Sequence, residues 1–281
     1  MMLKNTFCHL PGIGAATEEK LWNTGIRNWE DVLNQTVNLG KKTHVIQEGI
    51  RESIGHLENK NAKYFEALLP ASQQFRFFPE FRDSCVFLDI ETTGLETDAT
   101  ITTIALYDGL TTRYYVQGKN LDTFLSDIKK YQVIVTYNGK SFDLPFIQNY
   151  FNCQLPHGHI DLRYILKSLG FKGGLKKCEK ALGIDRKELD GVDGYFAVLL
   201  WEEYQENNNP KALDTLLAYN IEDVINLETL MIKAYNLKVE GTCFSNSHTI
   251  PEPPKAMNPI KPDAQVLQKL KSTYYQSSYY Y

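Results

Sequence analysis

Two hydrophobic periods divide the chain. From residue 1 to 69 the apolar positions recur at helical spacing, and no run alternates as a strand would. "TEEKLWNTGI" (Thr17 to Ile26) opens on a Thr, carries acids in its first turn and closes at a Gly, the start and stop signals of a helix. "NWEDVLN" and "KNAKYFEALL" continue the pattern. "PASQQFRFFPEFRDS" (Pro70 to Ser84) has prolines at 70 and 79 and reads as a linker. From Cys85 the period shortens. "CVFLDI", "ATITTIALYDG" and "TTRYYVQG" read as strands, with a tight hairpin at Asp108-Gly109 between the last two. "NLDTFLSDIKKY" reads as an amphipathic helix, "QVIVTYN" as a buried strand, "FDLPFIQNYF" as a helix and "HIDL" as a short strand. Everything from Arg163 to about Asn236 reads as helical. This order predicts an α/β domain with a mixed sheet flanked by helices. The expected organisation is a small all-helical domain over 1–69, a linker over 70–84, the sheet domain over 85–237, and a proline- and tyrosine-rich, poorly ordered tail over 238–281.

Composition narrows the class. The 281 residues are 43% hydrophobic and 23% charged, as in an ordinary soluble globular protein. The net charge of −4 excludes a uniformly basic surface. A nucleic-acid partner would need locally concentrated basic residues or metal ions to neutralise its phosphates. The five cysteines form no C-x-x-C pair, which argues against a disulfide framework or a zinc site. No run approaches the roughly 18 apolar residues of a membrane span. "MMLKNTFCHLPGIG" lacks the apolar centre of a signal peptide. The expectation is a cytoplasmic protein without membrane association; no pattern in the chain sets an oligomeric state.

Candidate chemistry begins in "CVFLDIETTGL". Asp89 and Glu91 are two apart on a strand, so they share a face at a separation of about 7 Å. Two buried like charges are costly without compensation. A strand end turned to solvent would avoid the cost, and a Lys or Arg arriving from elsewhere in the chain would answer it, although none lies nearby in sequence. A divalent cation is the other answer, since carboxylate oxygens suit Mg²⁺ or Mn²⁺. In "VIVTYNGKSFDLPFI", Asn138-Gly139 forms a turn after a buried strand and Asp143 emerges beyond it; taken alone, Asp143 reads as a helix N-cap. In "LLAYNIEDVINLETL", Tyr219 and Asp223 are four apart on one helix face, an arrangement that by itself is common at surfaces.

Together the three stretches resemble the DEDD superfamily of exonucleases, whose fold is ribonuclease H-like. Asp89 and Glu91 match its D-x-E strand motif, Asp143 its Asp after a strand and turn, and Tyr219 and Asp223 its Y-x-x-x-D helix motif. Position 218, where the alternative form has His, is Ala218, so the resemblance is to the tyrosine subgroup. "HIDLRYILK", "GLKKCEKALGI" and "AYNIEDVINLETL" look most like the bacterial YprB-type branch. The resemblance spans about residues 84–237. It implies a 3′–5′ exonuclease that hydrolyses DNA or RNA, most often from a single-stranded 3′ end, with two divalent cations, Mg²⁺ or Mn²⁺. It further implies that Asp89 bridges both ions, that Glu91 and Asp223 hold one and Asp143 the other, and that Tyr219 orients the attacking water.

Other positions stay open at this level. Asn138 either contacts substrate or only forms the turn. Asp161 either supports the site or is structural. His157 and His159 have no metal-spaced partners and read as ordinary. Lys167, Lys172, Lys176, Lys177 and Lys180 surround Gly173-Gly174, either steering phosphate or forming a solvated face. "LPGIGAATEEKLWNTGI" resembles the helix-hairpin-helix element, with Gly12 and Gly14 as hairpin glycines; that element contacts either DNA phosphate or protein. The competing functional readings are a non-catalytic module that binds nucleic acid or a repair partner, and an endonuclease of ribonuclease H type.

Overall fold

The structure is a computed structural model that describes residues 2–34, 43–96 and 98–277. Five strands form one mixed sheet: β1 (Cys85–Thr92), β2 (Ile101–Tyr107), β3 (Thr112–Val116), β4 (Val133–Thr136) and β5 (Gly158–Asp161). Their spatial order is β3-β2-β1-β4-β5. The first three pair antiparallel, and β4 and β5 run parallel to β1. The parallel connections cross over through helices α6 (Phe124–Ile128) and α7 (Asp143–Tyr150).

Alternation along β1 assigns its two faces. Val86, Leu88 and Ile90 pack with Phe124, Ile128 and Ile147 of α6 and α7. Cys85 and Phe87 pack on the opposite side, with Ile221, Val224 and Ile225. Asp89 and Glu91 continue this second face, beyond the point where its apolar residues end. Those partners belong to α11 (Pro210–Glu240), which would be about 46 Å long at the standard rise. Pro210 suits the first helical position, and the Asn209 side chain accepts the Lys211 N–H as a cap. α11 is buried on nearly every side, so the sheet alone does not cover it. α8 (Leu162–Ser168) and α10 (Gly194–Asn207) supply part of the cover, and α9 (Leu175–Ala181) lies between them in the chain.

The segment before the sheet differs from the expected separate helical domain and linker. α1 (Ala15–Asn23), α2 (Trp29–Asn34), α3 (Thr43–Glu58), α4 (Ala62–Leu68) and the short α5 (Phe78–Phe81) precede β1. One continuous apolar core joins Phe7, Trp29 and Phe65 to Phe87 and α11. Residues 70–84 are helical turns whose Phe75, Phe77, Phe78 and Phe81 are buried. Four aromatic rings in so short a stretch outweigh its two prolines, because burying them removes a large apolar area from water. Arg76 and Glu18, both buried, form a two-pronged ion pair with contacts of 2.8 Å. Glu18 also accepts the N–H groups of Phe7 and Cys8.

The segment after residue 237, expected to be poorly ordered, lies along α11 over its described length. The Asn236 side chain pairs with both backbone groups of Ile250 at 2.8 Å, and Asn258 donates to the Ala218 carbonyl. α12 (Ala264–Ser277) then places Val266, Leu267 and Leu270 against α10 and α11. Proline there fixes an extended strap that fits the outer face of a helix needing cover. Residues 278–281, with the last three tyrosines, lie outside the described residues.

Candidate metal and nucleic-acid site

The acids meet where β1 leaves the core. Asp89, Glu91 and Asp223 each offer a carboxylate oxygen within 4.8 Å of the others. Glu91 and Asp223 are buried, and Asp89 is half-buried. β1 supplies two of these side chains at period 2, and α11 carries Asp223 across the same face. Asn220, also on α11, donates to Asp89 Oδ2 at 2.7 Å and accepts from Thr103 at 3.1 Å. That chain ties Asp89 to α11 and to β2.

Asp143 stands beside this group rather than within it. It opens α7 but does not cap it: the N-cap is Phe142, with no side-chain bond. Asp143 Oδ1 instead accepts the Ile90 N–H at 3.2 Å, between the two acids of β1. The preceding turn is tightly specified. A Cβ on Gly139 would lie 2.3 Å from Thr136 Oγ1, and Asn138 adopts a left-handed φ of 68°. Asp161 sits under this turn and accepts backbone N–H groups from Asn138, Lys140 and Arg163 at 2.8, 3.1 and 3.0 Å. It is a structural support for the loop that delivers Asp143.

The cluster is electrostatically strained without cations. Burial and the neighbouring Asp223 push both Asp89 and Glu91 well above the usual carboxylate range. Burial also raises Asp143, to about 7, against the pull of backbone N–H groups. Carboxylates converging from separate elements are a hard oxygen donor set, which fits Mg²⁺ or Mn²⁺.

Two side chains from the α9 region bring positive charge. Arg186 grips both oxygens of Glu179 (2.5 and 2.7 Å) and donates from Nη1 to Asp223 Oδ1. Burial alone would lower its pKa, but Asp223 and Glu179 more than offset that and raise it. Lys176 donates to the Tyr219 hydroxyl, and its ammonium lies 4.4 Å from the centre of that ring. Burial lowers the Lys176 pKa, and burial raises that of Tyr219 well above the normal phenol value. The strap closes the arrangement from outside: Lys255 Nζ bonds the Asp185 carbonyl (3.0 Å) and Glu222 (2.6 Å), clamping the turn that bears Arg186 onto α11.

Among the other sequence candidates, Lys172 is exposed and lines a cleft with Asn138. Lys177 is also exposed. The Asn138 side chain is engaged by Arg163 and Ser141. His159 bonds Thr136 and is pushed down to about 3 by burial, and His157 bonds the Ile128 carbonyl. Among the described residues, neither histidine belongs to a group that could hold a metal ion. Gly12 has a left-handed φ of 78° and Gly14 is the N-cap of α1. The element before that hairpin is a single 3₁₀ turn, Leu3–Asn5, rather than an α-helix. Arg186 lies outside every motif stretch, and Glu179 and Asn220 lie inside "GLKKCEKALGI" and "AYNIEDVINLETL" without being singled out there. Their one trace is spacing: Lys176 and Glu179 are i,i+3 on a short helix, with Arg186 just past its end.

The sheet order, the parallel crossovers and the acids on the α11 face define a class. The described model of the RNase_H superfamily matches residues 86–235, and the chain belongs to that superfamily. Its similarity to particular proteins is narrower. A Bacillus subtilis (strain 168) protein described as "Uncharacterized protein YprB" is 31% identical over 175 residues, which cover 54% of this chain and 42% of the relative. The match thus spans less than half of that relative's length. Among solved structures, the family B DNA polymerase of the hyperthermophilic archaeon Pyrobaculum calidifontis is similar over 55% of this chain and 26% of its own, at a TM-score of 0.41 and 16% identity. Among the described residues, no helix is long and apolar enough to cross a membrane.

Proposed function

We propose that the protein is a metal-dependent nuclease that removes nucleotides from the 3′ end of a DNA or RNA strand. The observation that carries this reading is the convergence of Asp89, Glu91 and Asp223 within 4.8 Å, with Tyr219 one turn before Asp223 on the same face of α11. Asp89, Glu91 and Asp223 would hold one divalent cation, and Asp89 with Asp143 a second, Mg²⁺ or Mn²⁺ in each case. When bound, such ions neutralise charge on the scissile phosphate and the leaving oxygen and lower the pKa of water.

The remaining roles belong to the chain itself. Asn220 fixes one oxygen of Asp89, and Arg186 fixes one oxygen of Asp223. A phenol with its ordinary pKa near 10 is already neutral at physiological pH, and burial raises that of Tyr219 further. Its hydroxyl would orient the attacking water by hydrogen bonding. Lys176 donates to that hydroxyl and helps hold it. The test is degradation of single- and double-stranded DNA and RNA, labelled at either end, with Mg²⁺ or Mn²⁺ against chelator. Progressive shortening from the 3′ end, abolished by chelator, is expected. Cutting within a closed single-stranded circle would replace this reading with the endonuclease one.

A further inference from the structure

The acid cluster repels the strand it is proposed to cut, so a cationic approach is required nearby. Of five clefts on the described surface, four carry at least one glutamate. The fifth, of about 650 Å³, has no carboxylate in its walls. Arg163, Lys167 and Lys172 line it, together with Tyr137, Phe171 and the Gly173-Gly174 turn. We infer that this cleft is the track on which the phosphodiester backbone of a single strand lies as it leads into the acid cluster; the inference rests on the nuclease reading.

Three features carry it. The first is free charge. Lys130, Lys211, Lys233, Lys255 and Lys269 are each paired with a carboxylate. Lys167 and Lys172 are exposed and form no such pair among the described residues. Arg163 and Lys167 are i,i+4 on α8 and so rise from one face of that helix. Asp161, beneath them, directs its oxygens at backbone N–H groups.

The second is continuity with the site. One wall of the cleft is the Tyr137-Asn138 turn, which runs on five residues to Asp143. The other ends at Leu175, and the next residue, Lys176, reaches the Tyr219 hydroxyl. The Tyr137 hydroxyl donates to the Gly173 carbonyl at 2.5 Å, tying the walls together. A strand in the cleft is thus flanked on both sides by segments that end in the proposed catalytic centre.

The third is shape. The volume is that of a small-molecule pocket, enough for a nucleotide unit and not for a duplex. Tyr137 and Phe171 are half-buried at its edge, and aromatic faces there accept any base by stacking. Specificity would therefore be for a single strand and not for a sequence.

The test is fluorescence anisotropy of labelled dinucleotides and octanucleotides, DNA and RNA in separate arms, in Ca²⁺. Wild type is compared with the Lys167→Glu/Lys172→Glu double variant. Both side chains are exposed, and an unchanged melting temperature checks that the variant is folded. The octanucleotide should bind the variant about tenfold or more weakly, and the slope of log K against log salt should flatten by about 1.4, two phosphate contacts on a single strand. The arm with the tighter wild-type binding identifies the strand type. Unchanged octanucleotide affinity and slope would overturn the track. If wild type binds octanucleotides in this charge-dependent way but shortens none of them in Mn²⁺, the nuclease reading fails and the track stands. If wild type shortens strands and the variant binds them equally well, the track alone fails.

Discussion

Arg186 donates to Asp223 while both oxygens of Glu179 hold its other nitrogens. All three side chains are buried. With Lys176, this triad supplies counter-charge to the acid cluster, and removing one member would leave the others buried and unpaired. It also holds one oxygen of the Asp223 carboxylate in place.

Removing that guanidinium should be costly, and metal should recover part of the loss. Arg186→Gln leaves Glu179 and Asp223 buried without a partner, and loss of one member of a buried pair costs about 3–5 kcal/mol. Urea unfolding in chelator should show a loss of that size. In saturating Mn²⁺ the gap to wild type should narrow, because Asp223 regains a cation. Equal losses in the two conditions would show that Asp223 is not a metal ligand.

Tyr219 and Lys176 give a second, separable effect. Tyr219→Phe keeps the ring under the ammonium but removes the hydroxyl that Lys176 contacts. Turnover should fall by about 10²-fold, the order of loss when a reacting group is no longer held in position. Mn²⁺ affinity, measured by calorimetry, should stay near wild type. A parallel loss of metal affinity would make Tyr219 a structural residue.

The turn before Asp143 has no room for a methyl group. Gly139→Ala would place Cβ against Thr136, itself bonded to His159. Overpacking of this kind costs about 1–3 kcal/mol. Because the turn sets Asp143, activity should fall further than stability explains at temperatures where the variant is fully folded. Thermal melts beside initial rates check both expectations.

The N-terminal segment makes its own pH signature. Glu80 is buried, accepts the Leu3 N–H at 2.8 Å and leaves Oε2 without a partner. Burial pushes its pKa up to about 7, against the pull of that N–H. Between about pH 4.5 and 7 the folded chain therefore keeps a proton that the unfolded chain releases, and Glu80's contribution to stability falls as pH rises. His9, pushed down to about 3 by burial, acts in the opposite sense from about pH 3 to 6.5. Glu80→Gln removes the first effect and leaves the second, so its stability relative to wild type should improve steadily from pH 4.5 to 7. A difference that does not vary with pH would contradict the burial of Glu80.

Much of the sheet was legible in the sequence because its strands alternate or are wholly apolar, and Asp89 and Glu91 stood out as charges where β1 should be apolar. The meeting of Asp223 with them was readable only through the motif resemblance, since no local pattern brings residues 134 positions apart onto one face. Two things escaped for physical reasons. The ring of Glu179, Arg186 and Asn220 consists of ordinary polar residues whose meaning lies in what they touch. The packing of residues 70–84 and of the strap was not legible, because proline marks a break in helix or strand without saying whether the chain there is buried. Phe75 to Phe81 and the strap on α11 are both proline-bearing and packed.

The central claim is that the carboxylates around Asp89 catalyse hydrolysis from a 3′ end. Its most direct measurement is the rate at which an end-labelled single strand is shortened in Mn²⁺ by wild type and by Asp89→Asn, with calorimetric Mn²⁺ binding on the same samples. The account predicts stepwise 3′ shortening by wild type, a fall of several orders of magnitude in the variant and markedly weakened metal binding. Undiminished shortening by Asp89→Asn would contradict it.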